Sequence, residues 1–395
     1  MHKSEVAASN DWSDKLWLVG CCAFTSMASM RICDAMLPAF ALEFSVTAGQ
    51  AAKTISAFAL AYGVLQLFYG SLGDRYGKVR VIGLATLACT AGSVLAATSS
   101  NLEWLVASRA LSGAAAAGIV PLTMAWIGDS VSYEDRQAVL AQLLSATVLG
   151  MIAGQWVGGV LAETVGWRLA FYGLATIFLA CGALLISRVF SEHGVKQCTQ
   201  ISLLHAMRSV VGSRWPKVVL FVTAIEGALA FSALAFIPSD LHHRFGLSMP
   251  AAGGLVALYG VGGLIYSRTA RRMLRRWGES GIACIGATGA ALAFGTIAVA
   301  PSWYFVPPAC LVAGFGFYAL HNTLQTNATQ MAPWARGTAV SLFACSLFLG
   351  QSVGILGAAW LVDRYASPAV FLVSSIGLLV LGLSFAVLVK RRGHP

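Results

Sequence analysis

Charge is what this chain has least of. Only 11% of its 395 residues are Asp, Glu, Lys or Arg, against about a quarter in an ordinary soluble domain. Hydrophobic residues make up 57% and the mean hydropathy is +0.74. That balance excludes soluble enzymes, fibres and disordered chains. A P-loop nucleotide motif is missing, so ATP is not the expected energy source. There is no nucleophile–base constellation and no HExxH-type metal motif, so no catalysis, metal centre or cofactor is expected. The adjacent His242 and His243, read as part of a loop, are weak grounds for a chelating site. Metal-ligand spacing is also missing among the nine cysteines. Cys21, Cys22, Cys33, Cys89, Cys181, Cys284, Cys310 and Cys345 lie in apolar runs, and Cys198 lies in a polar loop. They read as small buried hydrophobes rather than disulfides. No cleavable signal peptide is expected, because the polar residues 1–15 lead directly into a full-length apolar span.

Long apolar runs are what the chain has in abundance. A helix that crosses a bilayer takes about 20 residues, so twelve take about 240. The hydrophobic residues, with the Gly and Ser that spans also hold, match that total. Charged and Pro/Gly-rich breaks divide the first half into spans near 16–40, 51–70, 79–98, 103–127, 137–162 and 168–188. The second half divides near 216–238, 250–270, 281–300, 303–328, 337–362 and 369–389. The predicted fold is therefore an all-α membrane protein of twelve transmembrane helices.

Positive residues orient it. Of 26 Lys and Arg, Lys53, Arg168, Arg244 and Arg364 fall opposite the termini, and Arg31 and Arg109 fall within spans. The remainder, including Arg75, Lys78, Arg80, Arg136, Arg268, Arg271, Arg272, Arg275, Arg276, Arg336 and Lys390, share the face of the termini. Both termini are expected in the cytoplasm of an inner-membrane, multi-pass protein. The net charge of +10 is then a topology signal and not a nucleic-acid footprint.

An internal repeat divides the chain. Tyr62-Gly63-Val64 and Tyr69 recur as Tyr259-Gly260-Val261 and Tyr266. Arg136, Leu149-Gly150 and Phe171 recur 200 positions later as Arg336, Leu349-Gly350 and Phe371. The expected domains are a six-helix bundle over 1–190, a cytoplasmic linker over 191–215 and a second six-helix bundle over 216–395. Two pseudo-symmetric bundles of like orientation point to a transporter with its site at their interface. A channel or a non-transporting sensor is the reading from another class, distinguished by the lack of saturable flux.

The loop after the second span reads Gly70-Ser71-Leu72-Gly73-Asp74-Arg75-Tyr76-Gly77-Lys78. It resembles the G-x-L-x-D-R-x-G-R/K signature of the major facilitator superfamily. The resemblance implies a conformational latch of Gly70, Gly73, Asp74, Arg75, Gly77 and Lys78, with Asp74 joining the halves on the cytoplasmic side. The counterpart, Ser267-Arg268-Thr269-Ala270-Arg271-Arg272, lacks the acid and the glycines, so any latch is asymmetric. In the fourth span, Arg109 and Gly113 are similar to an R-x-x-x-G motif of proton-coupled members. A role in coupling and snorkelling to the interface both remain open for Arg109. In the fifth span, Gly150, Gly154, Gly158 and Gly159 resemble the G-x-x-x-G-P-x-x-G-G pattern of twelve-helix drug:proton antiporters, with Gln155 in place of proline. Close helix packing alone also explains those glycines. The superfamily resemblance implies a functional monomer working by alternating access.

Proton coupling needs a carboxylate whose protonation changes with conformation. Asp34 in the first span and Glu226 in the seventh are the candidates, in spans that are equivalent under the repeat and so place the acids to face each other. Arg31 lies one turn before Asp34, so a structural ion pair is the rival reading there. Glu226 lacks a basic neighbour on its own helix and needs a partner, a proton or a wet cavity. In the tenth span Tyr318, His321, Asn322 and Gln325 follow helical spacing and form one polar face. That face reads as cavity lining, with His321 binding substrate, relaying protons or bonding a neighbouring helix. Arg31, Gln155 and Trp126 complete the expected substrate cavity. The expected partners are a small-molecule substrate, protons and the lipid bilayer. The expected function is proton-coupled efflux of small amphipathic organic compounds. The alternative is proton-coupled uptake of a small anionic nutrient or metabolite, held by Arg31, Arg109 and His321.

Overall fold

The computed structural model describes residues 2–189 and 203–392. Eleven segments among them are long and apolar enough to cross a membrane. One of these, Met249–Val299, is 51 residues long, more than twice the length one crossing takes. It is broken at Gly278, whose φ of 64° and ψ of −179° are not helical. Counting its two arms as spans eight and nine gives the expected twelve. The others are span one (Lys15–Phe44), two (Ala48–Tyr76), three (Lys78–Ala97), four (Leu102–Ser130), five (Asp135–Thr164) and six (Trp167–Arg188). Spans seven (Arg214–Phe245), ten (Trp303–Gln330), eleven (Pro333–Tyr365) and twelve (Ser367–Arg392) complete the set.

Three details depart from the sequence expectation. Helix runs through the basic stretch after span eight as far as Trp277, because Arg, Met and Leu are good helix formers even outside a membrane. His242 and His243 lie in the last turn of span seven, not in a loop. The expected linker contains a helix, Leu203–Val211, whose Val210 is buried with Val219 and Phe343. Its earlier part, with Cys198, lies outside the described residues.

Spans one and four are each broken at membrane depth beside a proline. Pro38 has no N–H and its ring clashes with the carbonyl four residues earlier. The helix of span one accordingly stops at Arg31, passes through a 3₁₀ turn at Asp34–Met36 and restarts at Leu37. Pro121 does the same in span four, which stops at Ala116 and restarts at Ile119. Carbonyls freed in an apolar medium need donors. The Tyr69 hydroxyl supplies one in span four, donating to the carbonyls of Ala114 at 3.1 Å and Ala115 at 3.2 Å.

Glycine stripes set the helix spacing. A Cβ on Gly150 or Gly154 would strike the carbonyl oxygens of Phe24 and Ala28 in span one. A Cβ on Gly350 or Gly354 would strike those of Ala224 and Ala228 in span seven. Each of these contacts in the first half recurs 200 residues later in the second. The repeat is thus a repeat of backbone approach, in which small residues let helices touch.

Candidate functional site

The broken turn of span one carries the first cluster. Asp34 is fully buried, with its Oδ2 3.2 Å from Nη1 of Arg31. Gln155 of span five donates Nε2 to the same oxygen at 3.3 Å. The residue that departs from the antiporter pattern therefore holds the acid of span one. Arg31 is 2% exposed, and neither Nη atom makes a hydrogen bond among the described residues. Its guanidinium instead lies 5.4 Å from the ring centre of Phe231, on span seven of the other half.

Arg109 reaches the same turn from span four. Its Nη2 donates to the Ser29 carbonyl at 2.7 Å, and Nη1 lies 3.2 Å from the Ser29 hydroxyl. Ser29 is in the last turn before the break, where carbonyls lack intrahelical partners and the helix dipole favours a cation. Arg109 caps that helix end. It is 1% exposed and sits 4.4 Å from the ring centre of Phe58, so it does not snorkel. Trp126, an expected cavity residue, is buried in the hydrophobic core that the first half contributes to.

The second cluster joins two residues that the sequence placed separately. Glu226 is fully buried, and its Oε2 lies 3.0 Å from Nδ1 of His321. The imidazole stacks on Phe317 at 5.1 Å and lies 5.2 Å from Phe343. Phe231 meets Phe317 edge-on at 5.3 Å, so an aromatic row links His321 to Arg31 across the halves. Oε1 of Glu226 and the Tyr259 hydroxyl are buried without hydrogen bonds among the described residues. Tyr259 was missed by sequence reasoning; its place in the internal repeat was its only signal. The 200-residue repeat sets Glu226 against Ser26, so the two acids do not occupy equivalent positions of the repeat. Each acid is paired within its own half.

The polar face of span ten divides. Tyr318 packs beside Tyr259, with ring centres 6.4 Å apart, and against Phe317 at 5.5 Å. Asn322 donates to the Tyr266 hydroxyl of span eight at 3.1 Å. Gln325 is exposed. Only Tyr318 and His321 join the aromatic row.

The basic loop after span two closes on its own half. Gly77, at φ 90°, makes the turn, a backbone region that glycine enters without cost. Gly73 packs under Leu122, while Gly70 is open. Asp74 lies 3.5 Å from Lys78. Lys78 also binds Asp129 at the end of span four, a partner that the sequence did not single out. Arg75 rests 5.1 Å from the Tyr76 ring. In this conformation, then, Asp74 has its ion-pair partner within the first half. On the opposite face the halves are joined. There, Thr47 and Gly49 of span two bind Asp363 of span eleven, and Glu163 of span five binds the Met249 amide of span eight. Further in, Ser56 donates to the Ser352 carbonyl at 2.9 Å. Of the span-five glycines, Gly150, Gly154 and Gly158 lie on span one, and Gly159 faces Met249 across the halves.

Comparison with known proteins agrees with this architecture. A family model described as Major Facilitator Superfamily matches residues 19–344. An uncharacterized transporter of Escherichia coli O157:H7, YgaY, is 27% identical over 353 residues, covering 85% of this chain and 86% of that one. A multi-drug resistance efflux pump of Streptococcus pneumoniae, PmrA, is 23% identical over 93% of this chain and 94% of its own. The solved nucleoside transporter NupG superposes with a TM-score of 0.78 at 15% identity, over 94% of this chain and 99% of that one. A bacterial homologue of the lysosomal transporter Spinster, solved inward-facing and unoccupied, gives 0.72 at 16%, over 95% and 94%.

Proposed function

The chain belongs to the Major Facilitator Superfamily, and from that premise we propose that it couples proton entry to the efflux of small amphipathic organic compounds. The observation that carries the reading is the buried Glu226–His321 pair at the end of an aromatic row. A buried carboxylate that exchanges its histidine partner for a substrate or a proton gives antiport its required competition. The flanking Phe231, Phe317 and Phe343 offer apolar and stacking surface to the substrate body. The multidrug pump PmrA among the relatives supports efflux. Asp34, held by Arg31 and Gln155, is the second protonation site, and Arg109 fixes the turn that carries it. Asp74 and its loop form the latch of the opposite, outward-open state.

The distribution of Lys and Arg orients the protein with both termini in the cytoplasm of the inner membrane. It works there as a monomer, as a transporter rather than an enzyme, with domains over 1–190 and 216–395 joined by the linker. The test is uptake of fluorescent organic cations and neutral dyes into inside-out vesicles energised with an inward-acid gradient. Accumulation that vanishes with the gradient upholds the reading, and gradient-independent equilibration contradicts it. A second reading, proton-linked uptake of a small anion, has one observation in its favour: the two Nη atoms of Arg31 are buried without a hydrogen bond among the described residues. Organic anions moving with the proton, rather than against it, would establish that reading instead.

A further inference from the structure

The face opposite the termini is closed by two carboxylates that do the same job in opposite directions. Asp363, at the end of span eleven, accepts the Gly49 amide on Oδ1 at 3.1 Å and the Thr47 hydroxyl on Oδ2 at 2.7 Å. Glu163, at the end of span five, accepts the Met249 amide on Oε2 at 2.5 Å. Spans five and eleven are equivalent under the repeat, and 163 and 363 are separated by its 200-residue period. Their targets are equivalent too. Thr47 caps the start of span two, its hydroxyl accepting from the Gln50 amide at 3.0 Å. Ser248 caps the start of span eight, its hydroxyl accepting from the Ala251 amide at 3.3 Å.

The local caps leave first-turn amides over, as helix starts always do. Each acid reaches across from the other half and takes one of them. Asp363 takes the second amide of its target helix, that of Gly49. Glu163 takes the first, because the second position of its target is Pro250, which has no N–H. The longer Glu side chain serves one half and the shorter Asp the other.

Backbone approach obeys the same relation. A Cβ on Gly49 would lie 2.5 Å from the Ala359 carbonyl oxygen. A Cβ on Gly159 would lie 2.5 Å from the Met249 carbonyl oxygen. Residues 159 and 359 are again one period apart, so at this end of each seam a glycine gives the close approach, on opposite partners. Glu43 gives the contrast on the same face: it binds Arg168 and Trp167 within the first half and crosses no seam.

We infer that Glu163 and Asp363 are paired gate residues of the transport cycle, each closing its seam by capping a helix of the opposite half. Capping of an amide by a carboxylate is directional and charge-assisted, so each bond exists only while its seam is shut. Opening this face breaks both together, and closing it re-forms both. The device acts on the equilibrium between states and holds whatever the substrate is.

The test reads access to the seam. Ser56 is buried between spans two and eleven against Ser352. Ser56→Cys in the full chain places a reporter thiol there, with the unchanged chain as the labelling control. A membrane-impermeant maleimide is offered to the face opposite the termini. Asp363→Ala and Glu163→Ala, each added to Ser56→Cys, are expected to raise the labelling rate of the introduced thiol at least tenfold, and together further still. Thr47→Val, which removes one donor from the other partner, is expected to raise it by a smaller factor. Asp363→Asn keeps the side chain's size and one acceptor and is expected to fall between parent and alanine. Glu43→Ala is expected to leave the rate unchanged. Rates equal to the parent in both alanine variants would overturn the inference, as would an equal rise with Glu43→Ala.

Discussion

Glu226 and His321 lie 95 residues apart in sequence and 3.0 Å apart in space, the acid fully buried and the imidazole stacked on Phe317. If this pair is where proton and substrate compete, the two partners have separable effects. Glu226→Gln retains the shape and removes the titrating group. Substrate-driven proton release is expected to disappear, while gradient-independent exchange of a neutral dye across the membrane continues. His321→Asn leaves the acid in place without its partner. It is expected to shift the pH dependence of transport rather than abolish it. Initial rates across an external pH series distinguish the two.

The Arg31–Asp34 pair predicts non-additive stability. Removing one partner leaves an uncompensated buried charge, which costs about 3–5 kcal/mol, whereas replacing both is far milder. Arg31→Gln and Asp34→Asn alone are expected to lower the melting temperature in detergent more than the double variant does. Additive losses would mean that the two charges are not coupled.

Arg109→Ala is expected to lose about 1.5–3 kcal/mol per charged hydrogen bond at the Ser29 cap. Arg109→Lys retains the charge but not the fork that serves both the Ser29 carbonyl and hydroxyl. It is expected to fold with reduced stability and reduced transport. Thermal unfolding followed with a thiol-reactive dye measures the first effect, and dye efflux at a permissive temperature the second.

If the span-five glycines act through packing, Gly154→Ala and Gly354→Ala are expected to destabilise to a similar degree. Their added Cβ atoms meet equivalent carbonyls, of Ala28 and Ala228. A special antiport role for the span-five motif predicts instead that Gly154→Ala stops proton coupling in a protein as stable as the parent. Comparing melting temperature with coupled flux in both variants decides between them.

Apolar runs and basic loops made the twelve spans legible, because length and charge are what a bilayer selects. Legible too was the candidate list: Asp34, Glu226, Arg109 and His321 are conspicuous in spans where charge is expensive. Pairing was not. No periodicity links Glu226 to His321, or Lys78 to Asp129, since those contacts come from helices packed in three dimensions. Nor did the sequence show that Arg109 caps a helix end, although Pro38 and Pro121 carried the signal for the broken turns. Gln155 stands where the antiporter pattern has proline. In the structure it is the hydrogen-bond donor to Asp34.

The measurement that bears most directly on the account is proton movement in proteoliposomes holding a pre-formed pH gradient, challenged in turn with organic cations, neutral compounds and organic anions. Cations or neutral amphipathic compounds are expected to discharge the gradient through the wild-type protein and to fail to do so through Glu226→Gln. Equal discharge through both proteins, or discharge by anions alone with proton and anion moving together, would contradict that expectation.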